Sequence, residues 1–240
     1  MTFGAVQLIG AARVRFGALE VRQHAIPVPA RIAGLSQREV TDRVTDRVVP
    51  AVPRPRADAA ERILRAAIRC IVTSGAAALT MHEVSEEAGV SKGLIHYHFH
   101  DKETLLARMV EWMTRHLVAR EHAALAESIP RHAIDDLWKW LEAELERGQI
   151  RVLLELAEWR GPLVQSAIRE SANARRDASA ASIEQLFSLL GLRARIPAAL
   201  LADVVVAFID GLAIAIGIDR EKNARAAFDV FWLSLLSLTE

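Results

Sequence analysis

The stretch from Thr80 to Lys102 constrains this chain more than any other, because it packs three helix starts and a glycine turn into a short span. Thr80 and Glu83 form the S/T-x-x-E pattern, in which a hydroxyl and a carboxylate satisfy backbone amides reciprocally. Met81, Val84 and Ala88 give the helix that follows one apolar side. Gly89 comes next, where a tight turn needs a left-handed backbone. Val90 plugs the turn, Ser91 is placed to cap a third helix over Lys92 to Tyr97, and Asp101 is placed to cap a fourth. Two short helices joined by a glycine turn are a helix-turn-helix signature. The second helix of such a pair enters the major groove of DNA. The same shape also occurs in bundles that never meet DNA. There Ser91 is only a cap, Lys92 and Lys102 are solvated charges, and Tyr97 packs.

The surrounding pattern is helical. Ala60, Ile63, Leu64, Ala67, Ile68, Ile71 and Val72 recur at helical spacing, with Asp58 placed to cap the start and Gly75 to end it. Leu105, Leu106, Met109, Val110, Met113 and Leu117 continue the helix after Asp101. Further helices are expected near 132–147, 149–160, 162–190, 197–218 and 223–238, with Pro130, Pro162 and Pro197 as punctuators. No stretch alternates like a strand, so the fold class is all-α. Residues 1–57 differ: they hold five of the eight prolines and nine arginines against four acidic residues. We read them as an Arg-rich, mostly disordered arm with one short helix near Ser36 to Val48. Its arginines suit either phosphate contact or a solvated tail, and an upstream start codon unused by the cell would also explain it.

Composition excludes several alternatives. Basic and acidic residues number 30 each, so any DNA contact must come from a local patch. Cys70 stands alone, which rules out an internal disulfide and fits a reducing cytosol. The apolar run from Pro197 to Ile218 is broken by Asp203 and Asp210 on nearly one helix face, each costing about 2.5–3.5 kcal/mol in a bilayer. A buried helix fits better than a spanning one. His96, His98 and His100 lack a carboxylate or Cys to complete a metal site. No phosphate loop or nucleophile constellation is present. We expect no cofactor, no metal, no membrane and no enzyme.

The run Ala88-Gly89-Val90-Ser91-Lys92-Gly93-Leu94-Ile95-His96-Tyr97-His98-Phe99, followed by Asp101-Lys102-Glu103-Thr104-Leu105-Leu106, resembles the DNA-binding domain of TetR-family transcriptional regulators. The resemblance covers about Asp58 to Leu106. It implies that Thr80, Tyr97, His98 and Lys102 hold the DNA backbone. It places Ser91, Lys92, Gly93 and His96 on or near the groove-facing side, with His82 a further candidate for a base edge. His96 stands where the family commonly has an aromatic residue, often Tyr, so the base it contacts is open.

Beyond Leu106 the likeness is one of pattern. Trp112, Trp138, Trp140, Trp159 and Trp232, with Met113, Phe187, Phe208 and Phe228, are ordinary core or the lining of an apolar cavity. The resemblance favours a small-molecule pocket, for which Trp112, Met113, Trp138, Trp159 and Phe208 are the candidates. The last two helices are apolar over most of their circumference and must be buried. The resemblance implies a dimer bundle there, with Ala199, Val206, Asp210, Gly211, Ile214, Phe231 and Leu235 at the interface. The expected organisation is therefore an arm at 1–57, a helix-turn-helix DNA-binding domain at 58–100, and a helical ligand-binding and dimerisation domain at 101–240. The expected function is a cytoplasmic homodimeric repressor, released from a palindromic double-stranded operator by a small-molecule effector. An activator of the same fold, or a helical protein-interaction module without DNA binding, is the alternative.

Overall fold

Side-chain caps at Thr80, Ser91, Asp101 and Asn223 start four of the helices in the computed structural model, which describes residues 56–219 and 223–240. The arm, including the short helix expected near Ser36, lies outside the described residues. Nine helices follow in order among the described residues: α1 (Arg56–Ser74), α2 (Met81–Ala88), α3 (Lys92–Phe99), α4 (Lys102–Ala126), α5 (Ala133–Arg147), α6 (Gln149–Ala157), α7 (Pro162–Leu190), α8 (Ala198–Ile218) and α9 (Ala224–Leu236). α1 begins at Arg56, ahead of the expected cap, so Asp58 lies in its first turn. One isolated antiparallel bridge, Ala194 with Thr239, ties the chain end to the α7–α8 connection.

α4 and α7 form the spine. They run in the same direction, as three cross-links at rising residue numbers show. The Thr114 and Ser171 hydroxyls lie 2.6 Å apart. Ser179 donates to Glu121, and Gln185 Nε2 donates to the Leu125 carbonyl. One hydrophobic core runs from Ile63 on α1 to Leu235 on α9. The helix-turn-helix unit therefore shares its packing with the body behind it, and a division at 100/101 separates roles rather than cores.

Polar contacts lock that junction. The Ala76 amide donates to Glu155 Oε1 at 2.5 Å. Glu103 accepts from the Leu163 amide at 2.8 Å, placing a carboxylate at the N-terminus of α7. Gly161 makes this approach feasible, since a Cβ there would sit 2.5 Å from Glu103 Oε1.

α8 is the one described helix long and apolar enough to cross a membrane, with a mean hydropathy of 2.3. Its two aspartates both find arginines on α7. Asp203 accepts from Arg176 at 2.7 Å, and Asp210 pairs with Arg175.

Candidate functional site

The outer surface of the helix-turn-helix is built by caps. Thr80 Oγ1 accepts from the Glu83 amide at 3.2 Å, while the Thr80 amide donates to Glu83 Oε2 at 3.0 Å. That closed capping box fixes the start of α2. Gly89 ends it with φ 62° and ψ 43°, a left-handed conformation that a side chain would strain. Ser91 Oγ then accepts from the Leu94 amide at 3.2 Å and starts α3. Ile95 and Phe99 are buried and hold α3 against the body.

The opposite side of α3 is free. Ser91, Lys92, Gly93, His96 and Tyr97 are exposed, Tyr97 to 66%. Positions 92, 93, 96 and 97 share one helix side. An exposed phenol of that size on a rigid short helix is not explained by packing. Leu94 and His98 are half-buried, and the His98 ring stands edge-on to Tyr97 at 5.2 Å. His82 and Thr80 are exposed at the start of α2, His82 facing Glu86 at 3.5 Å. His96 Nδ1 lies 2.8 Å from the His100 carbonyl. If Nδ1 carries the proton and donates there, the ring orientation is set and Nε2 points outward. His100 itself has φ 57° and ψ −58°, a strained backbone at the joint between α3 and α4.

Lys102 is placed differently from Lys92 in this structure. Its ammonium donates inward to the Ala76 carbonyl at 3.2 Å and lies 5.0 Å from the centre of the Trp159 ring. Desolvation there lowers its pKa, against an opposing pull from Glu83. In this conformation Lys102 serves the junction and not the outer surface. The nearby arginines are engaged as well: Arg62 donates to the Ala88 carbonyl, and Arg69 pairs with Glu87.

A second site lies in the body. Glu121, Leu137, Trp140, Leu141, Ser179, Ser182, Ile183, Val205, Phe208, Ile209, Phe228, Phe231 and Trp232 line an apolar cavity. It is narrow: a water-sized sphere can place its centre in about 30 Å³, room for one or two waters. Phe208 and Phe231 stack face to face at 4.0 Å across α8 and α9. The indole N–H groups of Trp140 and Trp232 are buried without a hydrogen-bond partner.

Of the five pocket candidates read from sequence, only Phe208 reaches this cavity. Met113 is wholly buried in the core. Trp112 stacks on His116 at 3.9 Å, under the Arg65 guanidinium, in a surface cleft between α1 and α4. Trp138 packs on Phe228 at 5.2 Å, behind the lining. Trp159 lies under Lys102. Aromatic type alone could not tell which side of each helix faces inward. Glu121 was missed, although its signal is present: it sits one turn from both Leu117 and Leu125 on the buried face of α4.

The interface candidates divide similarly. Ala199, Gly211 and Ile214 are exposed, and Val206 is half-buried. Asp210 is engaged by Arg175 within the subunit, Leu235 is buried in it, and Phe231 belongs to the cavity. A regular apolar stripe does face outward: Leu200, Val204, Gly211, Ile214 and Ile218 on α8, with Val230 and Leu233 on α9.

Among the described residues, no group of three or more His, Cys, Asp or Glu side chains is placed to hold a metal ion. A capped helix-turn-helix on a helical body is the form of a DNA-binding transcriptional regulator. Residues 63–109 match the sequence profile of bacterial regulatory proteins, tetR family. A 52-residue segment is 42% identical to the uncharacterized HTH-type transcriptional regulator YerO of Bacillus subtilis (strain 168), covering 22% of this chain and 18% of that protein. Among solved structures, a TetR transcription regulator from Haloarcula marismortui shares the fold with a TM-score of 0.63 at 19% identity, over 77% of this chain and 100% of that one. The SmeT–triclosan complex does so with a TM-score of 0.58 at 19% identity, over 74% and 91%. Residues 63–109 are thus similar to the DNA-binding part of tetR-family regulators, and the chain as a whole shares their fold.

Proposed function

We propose that this chain is a homodimeric, effector-responsive regulator that represses from a palindromic operator in the cytoplasm and performs no catalysis. The observation that carries the reading is the free side of α3, where Ser91, Lys92, Gly93, His96 and Tyr97 stand exposed on a helix anchored by Ile95 and Phe99. The N-terminal amides of α3 suit phosphate. Lys92 supplies charge, His96 a hydrogen-bonding edge for a base, and Tyr97 with His98 and Thr80 grip the strands around it. His82 reaches toward the groove from α2.

The outward stripe on α8 and α9 is the dimer surface. Partly covered already, side chains such as Leu200, Val204, Ile218, Val230 and Leu233 each gain on the order of 1–2 kcal/mol when burial is completed. Two subunits joined there present two α3 helices, which must stand about 34–36 Å apart to enter successive major grooves.

The cavity is the effector site. A structural neighbour is the SmeT–triclosan complex, which supports this reading. Glu121 lies on α4, the helix that starts at the junction with α3. An effector that favours a wider cavity shifts α4 and with it the spacing of the reading helices.

The test is selection of genomic DNA fragments on the purified protein, followed by gel shift across a salt series. Retention of a palindrome with log K falling steeply against log salt is expected. Salt-insensitive or absent DNA binding would sink the reading. One observation favours the interaction-module alternative: α2 shows Glu83, Glu86 and Glu87 to solvent, which repels phosphate. An activator of the same fold would bind the same DNA and raise transcription in a reporter.

A further inference from the structure

The helical body buries two glutamates, and only one has a counter-charge. Glu144 is fully buried and accepts from Arg120 at 2.5 and 2.7 Å and from Arg147 at 3.0 Å. Glu121 is 6% exposed and accepts from Ser179 at 3.3 Å, with the Ser182 hydroxyl also acting on it. Among the described residues no cation forms an ion pair with it; Arg175, whose charge acts on it, is committed to Asp210. A buried carboxyl without a partner costs several kcal/mol when ionised. Packing does not require it, since its neighbours on the same face of α4 are Leu117 and Leu125.

The group faces the cavity described above, whose walls carry five aromatic rings: Trp140, Phe208, Phe228, Phe231 and Trp232. Ring faces attract cations, most strongly when water is excluded. The two buried indole N–H groups add unused donors. Burial pushes the Glu121 carboxyl up from its ordinary value, opposed by the Ser182 and Ser179 hydroxyls and by His122 and Arg175. One ligand chemistry answers the whole arrangement. We infer that the cavity, opened beyond its present room for one or two waters by parting the Phe208–Phe231 stack, takes a small lipophilic organic cation, an amine on an aromatic body, whose nitrogen pairs with Glu121 while its rings lie against Phe208, Phe231 and Trp232. An acceptor on the same ligand takes the Trp140 and Trp232 N–H groups.

This inference rests on the reading of the cavity as the effector site, and its test separates the two. Three probes of one shape differ in charge: naphthalen-2-ylmethylamine, naphthalen-2-ylmethanol and 2-naphthoate. Binding to the full chain is followed by tryptophan fluorescence and calorimetry. The amine should bind about tenfold tighter than the alcohol, and the naphthoate weakest. In Glu121→Gln the amine and alcohol should bind alike. If the alcohol binds as well as the amine to the unaltered chain, the cation class falls and the effector site stands. If no probe binds, both fall. An amine preference surviving in Glu121→Gln puts the nitrogen elsewhere and overturns the inference. Should that variant fail to fold, the order of the three probes on the unaltered chain still decides the matter.

Discussion

The helix-turn-helix unit and the body behind it use polar side chains in opposite ways. In α2 and α3 most polar groups face out, Ser85 being buried and His98 half-buried, and each helix start is satisfied by a side chain within three residues of it: Thr80 with Glu83, and Ser91 with Leu94. In the body, polar groups face in and find partners far along the chain, as Arg120 does with Glu144 and Ser179 with Glu121. The first pattern gives a rigid surface with unused hydrogen-bonding capacity. The second gives a core whose few polar groups are either locked or left waiting. The two regions should therefore answer substitution differently.

The largest effect belongs to the locked pair. Arg120→Met removes a two-pronged partner from a carboxylate with no exposure and should cost about 3 kcal/mol, Arg147 offsetting part of the loss. Chemical denaturation measures it, and a loss near zero would show that Glu144 is not held as described. On the outer surface, Thr80→Ala opens the capping box and should cost about 1 kcal/mol.

The two lysines sharpen the contrast further. Lys92→Ala should leave stability unchanged while flattening the log–log salt dependence of DNA binding by about 0.9. Lys102→Ala should do the reverse, costing about 1 kcal/mol of stability through the lost contacts to Ala76 and Trp159 and leaving the slope alone. A flattened slope for Lys102→Ala would mean that the ammonium swings outward on DNA.

A further effect is a pH signature. Because the folded pKa of Glu121 is raised, the folded state holds its proton more tightly than the unfolded chain does. The stability cost is absent below the ordinary value of 4.5 and grows as pH rises through the raised one. Thermal melts of Glu121→Gln against the unaltered chain should coincide in acid and separate toward neutral pH, the variant being the more stable. Parallel curves would remove Glu121 from the buried, uncompensated role.

The same contrast explains what could be read from the residues. Caps and turns act over three or four positions, so Thr80, Gly89, Ser91 and Asp101 located α2, α3 and the start of α4 almost to the residue. The orientation of α3 followed from Ile95 and Phe99. Cavity membership depends on how helices distant in sequence meet, and no local pattern carries that. Trp112 and Trp159 have the right chemistry and the wrong neighbours, His116 and Lys102. The two aspartates of α8 were legible as a polar seam, but their partners Arg175 and Arg176 were not.

The link from Glu103 to the start of α7 has a mechanical consequence. Because α4 and α7 run the same way and are stapled at that end, α4 cannot slide past α7 like a piston without breaking the contact at Leu163. Tied to α7 again at Thr114, Glu121 and Leu125, it can swing only together with α7, with the Glu103 end as fulcrum and a lever arm to Glu121 of about 27 Å at 1.5 Å per residue. A sideways push of about 1 Å at Glu121 then becomes a rotation of only about 2°. Loosening the fulcrum, as Glu103→Ala would, should blunt any signal passing from one end of the helix to the other.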